Sequence, residues 1–193
     1  MGEHLEPPFI MNPPDHFDRN AGGDPETAVV TADRLLAVIG FAVVCLAFHW
    51  FGEEDWVPLL DSANLALHEA GHPLVSIFSA RATVYGGTLF QLAFPLAAAV
   101  HFHRAENPAG VAGAVVWLGE NLFNVARYMA DARAQELPLV GNGDHDWTEI
   151  FSRWHVLQLD GRIAGITRGI GLILITAAVV WLYRRWRQTR RSS

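Results

Sequence analysis

Five apolar runs separated by polar segments organise the chain from residue 35 onward. The runs cover residues 35–51, 57–80, 88–102, 111–130 and 161–183. A helix needs about 17–25 mostly apolar residues to cross a bilayer, and most of the runs approach or reach that length. The pattern therefore predicts an all-α fold, a polytopic membrane helical bundle with about five spans.

The two ends of the chain differ from this apolar middle. Residues 1–33 are polar, acidic and rich in proline, and they contain neither the basic start nor the apolar stretch of a signal peptide. We predict a disordered N-terminal tail for residues 1–33, a membrane-embedded domain for residues 34–184 and a basic C-terminal tail for residues 185–193.

Composition and charge narrow the class of protein. Hydrophobic residues make up 51% of the chain and charged residues only 18%, which is apolar for a soluble domain. The net charge of −6 gives no indication of a nucleic-acid partner. The single cysteine excludes an internal disulfide and makes a cysteine-based zinc site implausible.

The cationic residues indicate source and orientation. All 14 are arginines, and together with the many alanines and glycines this favours a GC-rich bacterial source. Five arginines follow the last apolar run, at positions 184, 185, 187, 190 and 191. Such clusters mark the cytoplasmic side of a membrane. We therefore expect a multi-pass protein of the bacterial inner membrane with a cytoplasmic C-terminus.

The second apolar run contains the pattern His-Glu-Ala-Gly-His at residues 68–72. On a helix, His68 and His72 share one face and can bind one zinc ion, and Glu69 can reach a water molecule beside it. Histidines that serve only packing are common in helices. Ionisable groups inside an apolar run are costly and usually functional, so the pattern favours a zinc site with Glu69 as general base.

A catalytic zinc ion usually has three protein ligands, and the pattern supplies two. His145 lies in the glycine-rich acidic run 141–147, where Asp144 or Asp146 could orient a neighbouring ligand. Glu120 and Asp131 are further candidates. A solvated acidic loop is the plain alternative for the run 141–147, so the residues alone leave the third ligand open.

A histidine–glutamate pattern of this kind in a membrane helix resembles the site-2 protease family of intramembrane zinc peptidases. The resemblance spans roughly residues 60–170 and includes Leu159-Asp160-Gly161, which is similar to the family's Leu-Asp-Gly segment. It implies that Asp160 is the third zinc ligand and that Glu69 is the base, which leaves Asp160 and His145 as rivals. Gly86-Gly87 resembles the family's glycine pair, and we expect residues 81–87 to form a loop or short strand that aligns the substrate by edge pairing.

The predicted activity is zinc-dependent hydrolysis of peptide bonds in a membrane or membrane-proximal protein. The expected partners are a protein or peptide substrate and membrane lipid, and the oligomeric state stays open. One alternative is a b-type cytochrome, because histidines 49, 68, 72, 101 and 103 lie in or near the apolar runs. Another is a non-catalytic membrane scaffold with a degenerate peptidase core.

Overall fold

The structure is a computed structural model that describes residues 28–52, 55–140 and 145–192, and the regular elements of these residues are all helical. The α-helices are α1 (Ala32–Phe51), α2 (Leu60–Ser76), α3 (Thr83–Arg104), α4 (Pro108–Ala130), α5 (Asp146–Arg153) and α6 (Asp160–Ser192). Short 3₁₀ turns, Ala80–Ala82 and Leu157–Leu159, precede α3 and α6. The all-helical prediction is confirmed. Residues 1–27 of the predicted tail, and Asp144, lie outside the described residues.

Polar side chains define where several helices begin. The Thr31 hydroxyl accepts a hydrogen bond from the Arg34 backbone N–H at the start of α1. The Asn107 side chain does the same for Gly110 at 2.9 Å, and Pro108 occupies the first position of α4. These residues satisfy or remove backbone donors that would otherwise lack a partner at a helix start.

Helix α4 is the centre of the bundle. Half of its most apolar 18-residue window is buried, against 22% in α1, α3 and α6. On one side, Val116 and Phe123 of α4 pack with apolar residues of α1 and α6. Further along, Val125 and Met129 pack with Phe151 of α5 and with α6. One helix thus connects both apolar clusters of the described residues.

Four helical segments are long and apolar enough to cross a membrane, namely Ala32–Phe51, Ala80–Arg104, Pro108–Ala130 and Leu157–Arg191. Large apolar side chains on their outer faces are exposed, including Leu36 at 63%, Leu89 at 62% and Ile173 at 67%. Contact of such surfaces with water is unfavourable, whereas contact with lipid tails is not. The last segment continues as a helix through the arginines that follow residue 183.

The second predicted span differs from the other four. Within residues 57–80 the helix is α2, Leu60–Ser76, which has only 17 residues and is not among the membrane-crossing candidates. At about 1.5 Å per residue such a helix falls short of the roughly 30 Å apolar core of a bilayer. Polar residues such as Asp61 and Asn64 are fully buried in α2 and turn toward α4. The structure therefore has four candidate spans plus one short polar helix between α1 and α3.

The expectation of a loop or short strand at residues 81–87 is wrong. Gly86 and Gly87 lie in the first turns of α3, and no described residue belongs to a strand. A side chain at Gly86 would collide with the backbone of Gly71 on α2, and one at Gly87 would stand 2.5 Å from the His68 ring. The glycine pair therefore serves close approach of α2 and α3 rather than substrate pairing.

Candidate metal centre

His68 and His72 lie one turn apart on α2, and their ring centroids are 4.9 Å apart in an edge-to-face arrangement. Both Nε2 atoms face one carboxylate oxygen, Oδ2 of Asp146, at 2.9 Å for His68 and 3.3 Å for His72. The contact joins α2 and α5, whose residues here are at least 74 positions apart in the chain. His68 and Asp146 are only 6% and 7% exposed.

The two distances from Asp146 Oδ2 to the imidazole nitrogens are compatible with a metal ion. Tetrahedral ligand atoms about 2.0–2.1 Å from zinc lie roughly 3.3 Å from one another. The two distances from Asp146 Oδ2 to the imidazole nitrogens are close to that value. Two imidazoles and one carboxylate are also a common ligand set for catalytic zinc, with a fourth position left open. His68, His72 and Asp146 could therefore hold a metal ion between them.

The other ring nitrogen of each histidine, Nδ1, lies within hydrogen-bond distance of an oxygen atom. His72 Nδ1 lies 3.0 Å from the Thr83 carbonyl oxygen at the start of α3. His68 Nδ1 lies 2.9 Å from Oε1 of Gln91, two turns further along the same helix. Because a carbonyl oxygen only accepts, His72 carries its proton on Nδ1 when neutral, and its Nε2 lone pair is free for a metal.

Asp146 reaches the histidines because apolar packing and a hydrogen bond to Tyr128 hold α5 in place. Trp147, Ile150 and Phe151 are buried against α4 and α6. The backbone N–H of Asp146 donates to the Tyr128 hydroxyl at 3.2 Å. Desolvation opposes ionisation of Asp146, but the hydrogen bonds from His68 and His72 outweigh it and hold the pKa of Asp146 below its ordinary value. The carboxylate is therefore ready to act as an anionic ligand.

Glu69 stands beside the histidine pair without belonging to the Asp146 contacts. Its carboxylate and the ligand nitrogens of His68 and His72 all lie within 4.8 Å of one another. Glu69 is half-buried and lines a cavity of about 350 Å³ together with His68, Trp56 and Tyr128. Residues 137–140, which lie outside the helices, form another wall of this cavity. A water molecule or a carbonyl group in the cavity would lie beside Glu69 and His68.

The structure does not bring His145 to the histidine pair. His145 is 2% exposed and caps α5, where its Nδ1 accepts a hydrogen bond from the Thr148 backbone N–H at 3.3 Å. Its Nε2 lies 3.3 Å from Asp131 Oδ2. Burial lowers the pKa of His145 despite the attraction of Asp131. Nδ1 of His145 therefore serves the helix cap, and its buried Nε2 points toward Asp131 without a hydrogen bond to a described residue. The adjacent residue, Asp146, contacts the histidine pair instead.

Asp160 is likewise occupied elsewhere. Its Oδ2 accepts a hydrogen bond from Arg133 Nε at 2.7 Å, and its Oδ1 accepts from the Gly161 backbone N–H at 2.7 Å. The other two candidates also have different partners, since Asp131 accepts from the Glu136 and Leu137 backbones. Glu120 accepts from Asn64 at 3.0 Å. The structure therefore brings neither predicted residue, His145 or Asp160, into contact with the histidine pair, and the carboxylate that does contact it is Asp146.

Comparison of the chain with protein-family models, with curated proteins and with solved structures finds no match. A function for the chain therefore rests on the geometry of its own residues.

Proposed function

We propose that the protein is a zinc-dependent membrane peptidase whose metal is bound by His68, His72 and Asp146. The supporting observation is the convergence of both Nε2 atoms on Asp146 Oδ2, beside a cavity that Glu69 also lines. The proposed resemblance to the site-2 protease family adds the reaction class, hydrolysis of a peptide bond in a membrane or membrane-proximal protein.

A zinc ion held by His68, His72 and Asp146 would supply Lewis-acid chemistry, lowering the pKa of a water molecule and polarising the scissile carbonyl. Glu69, which lines the cavity beside His68, would act as general base, accepting a proton from water and passing it to the leaving amine. The histidines keep their orientation through the oxygens at their Nδ1 atoms. The apolar walls of the cavity, which include Leu65, Val125 and Leu139, limit access of bulk water and favour an apolar substrate side chain.

The connectivity supports a particular membrane orientation. The site gathers the start of α3, the end of α4 and the start of α5, which precedes α6. In an antiparallel arrangement of four spans these ends lie on one side, and the arginines at the end of α6 lie on the other. If the arginines are cytoplasmic, in a bacterial inner membrane, the site opens to the opposite side. Four spans then place the start of α1 and the end of α6 on the same, cytoplasmic side.

The test is zinc content and peptide cleavage by purified protein, for the wild type and Glu69→Gln. We expect about one zinc per chain in both forms, and cleavage by Glu69→Gln to be reduced about 10²–10⁴-fold, because the zinc ligands remain and the base is lost. Glu149→Gln is the matched control, since Glu149 is exposed and forms its ion pair with Arg153, away from the histidine pair. It should keep wild-type cleavage.

Equal cleavage by the wild type and Glu69→Gln would rule out the base. A wild-type protein that takes up no zinc would contradict the peptidase altogether. An absorption spectrum of the same preparation addresses the cytochrome alternative, because a haem protein has a Soret band and a zinc peptidase has none. Zinc uptake without cleavage of any peptide would favour the scaffold alternative.

A further inference from the structure

A row of buried amide side chains leads from His68 into the centre of the bundle. It consists of Gln91 on α3, Asn121 on α4 and Asn64 on α2, and it ends at Glu120 on α4. Gln91 is 2% exposed and the other three are fully buried. Polar groups at such positions in a membrane bundle are costly. The proposed reaction does not use them directly, so their presence calls for another reason.

The distances make the row continuous. Gln91 Oε1 lies 2.9 Å from His68 Nδ1, and Gln91 Nε2 donates to Asn121 Oδ1 at 2.8 Å. Asn121 Nδ2 donates to Asn64 Oδ1 at 3.1 Å. Asn64 Nδ2 donates to Glu120 Oε2 at 3.0 Å and to Asp61 Oδ1 at 3.3 Å. Each amide therefore accepts a hydrogen bond through its oxygen and donates one through its nitrogen, and the donors all point away from His68 and toward Glu120.

The direction of the hydrogen bonds along the row is determined at Asn64 and not at His68. The Trp117 indole Nε1 lies 2.9 Å from Asn64 Oδ1, and an indole N–H can only donate. That atom of Asn64 must therefore be its oxygen, and its amide nitrogen faces the carboxylates of Glu120 and Asp61. A flipped Asn64 would set donor against donor at Trp117 and oxygen against oxygen at Glu120.

The orientation of Asn64 determines each following residue. Asn64 Oδ1 requires a donor from Asn121, so the Asn121 oxygen turns toward Gln91. That oxygen requires a donor from Gln91, so Gln91 presents Oε1 to His68. An oxygen at His68 Nδ1 requires the proton on that nitrogen, so a metal ion that replaces the Nε2 contact with Asp146 would meet the Nε2 lone pair.

We propose that the row Trp117–Asn64–Asn121–Gln91, completed by Glu120, selects the metal-binding form of His68, with its proton on Nδ1 and its Nε2 free for zinc. These are positioning residues, since only Gln91 contacts a ligand of the metal. The role rests on the proposed function. It also explains why one ligand needs a row of side chains, whereas His72 is oriented directly by the Thr83 backbone.

The test interrupts the hydrogen bonds of the row at Asn121, which does not contact His68. Asn121→Leu keeps a similar volume but removes both the acceptor for Gln91 and the donor for Asn64. We expect zinc affinity, measured by chelator competition, to fall about 10–100-fold, as for other partners of metal-bound histidines. Asn124→Leu is the matched control, since Asn124 is also an amide on α4 and contacts the same Gln91 Nε2 at a longer 3.3 Å. We expect a change of less than about threefold for this control.

A rescue separates orientation from a general structural role. Glutamate at position 91 has acceptors on both oxygens, so it needs no neighbour to present an oxygen to His68. Gln91→Glu in the Asn121→Leu background should therefore restore most of the lost zinc affinity. If the loss came from disturbed packing, the second change would leave it uncorrected, and the proposal would be overturned.

A measurement on the wild type keeps the proposal testable if Asn121→Leu does not fold. Nitrogen-15 NMR of the zinc-loaded protein with labelled histidine should give His68 a proton on Nδ1 and the metal on Nε2. Zinc on Nδ1 of His68 would overturn the proposal. Wild-type zinc affinity in Asn121→Leu would overturn the row alone, whereas no zinc uptake by the wild type would overturn the proposed function and this role with it.

Discussion

The starts of α5 and α6 present the same residue in two different settings. Asp146 begins α5 and Asp160 begins α6, and both are almost fully buried at 7% and 2% exposure. Asp160 is paired with Arg133 at 2.7 Å, whereas Asp146 faces the imidazoles of His68 and His72. A carboxylate that already holds a guanidinium gains little from a second cation. The neighbours of a carboxylate, and not its sequence triplet, therefore make it a candidate ligand.

The largest expected effect separates these two aspartates directly. Asp146→Asn removes an anionic oxygen from the metal position, and we expect zinc affinity to fall more than about 100-fold with loss of cleavage. Asp160→Asn is the matched control and should stay within about threefold of the wild type, since Asp160 contacts neither histidine. Chelator competition measures both. The opposite order would restore Asp160 as the ligand.

The pH dependence of zinc binding sharpens the comparison. The hydrogen bond to Asp146 raises the pKa of His72 to about 8 in the metal-free site. Zinc requires neutral His72, so below this pKa each bound ion must displace a proton. Affinity should fall about tenfold for each pH unit below about 8, and this proton should cease to contribute above it.

Asp160→Asn should leave this pH profile unchanged, because Asp160 does not contact His72. Zinc affinity measured by isothermal titration across the same pH range provides the check. A profile that stays flat as the pH falls below about 8 would show that His72 does not exchange a proton for the metal.

The smallest effect concerns His145, the other predicted ligand. His145→Ala removes the cap of α5, and losing such a cap typically costs about 1 kcal/mol. We expect a lower Tm but zinc affinity within about tenfold of the wild type, because Trp147 and Phe151 still anchor the helix. Thermal unfolding and chelator competition measure the two quantities. Loss of zinc comparable to that of Asp146→Asn would identify His145 as a ligand.

Local spacing was sufficient for part of the site. Histidines four residues apart on a helix share a face, so the sequence predicted that His68 and His72 point the same way. The structure brings their Nε2 atoms together. Glu69 follows from the same spacing. These features depend on a few residues of one helix, which a sequence pattern describes well.

The third candidate ligand depends on packing between helices. Asp146 and Ile150 lie four residues apart, and Trp147 and Phe151 lie beside them, so this face of α5 turns inward and takes Asp146 with it. His145 precedes the helix and its side chain caps it instead. The apolar positions 147, 150 and 151 carried this signal, but the acidic, glycine-rich residues before them favoured a loop.

The sequence predicted five spans, one more than the four candidates of the structure, for a similar reason. Residues 57–80 are apolar enough to suggest a span, yet Asp61 and Asn64 are fully buried against α4 in the structure. Their burial depends on Glu120 and Trp117, which lie more than 50 residues away. Average hydropathy does not register such long-range partners. The glycine pair misled for the same reason, because its close contact is with α2.

The central claim is that one metal ion is shared by α2 and α5. Anomalous diffraction at the zinc edge, on crystals of zinc-loaded wild-type protein, tests it most directly. We predict a single strong peak about 2.0–2.1 Å from Nε2 of His68 and His72 and about 2.0–2.2 Å from an oxygen of Asp146. A peak bound by His145 or Asp160, or no peak beside the histidine pair, would contradict the claim.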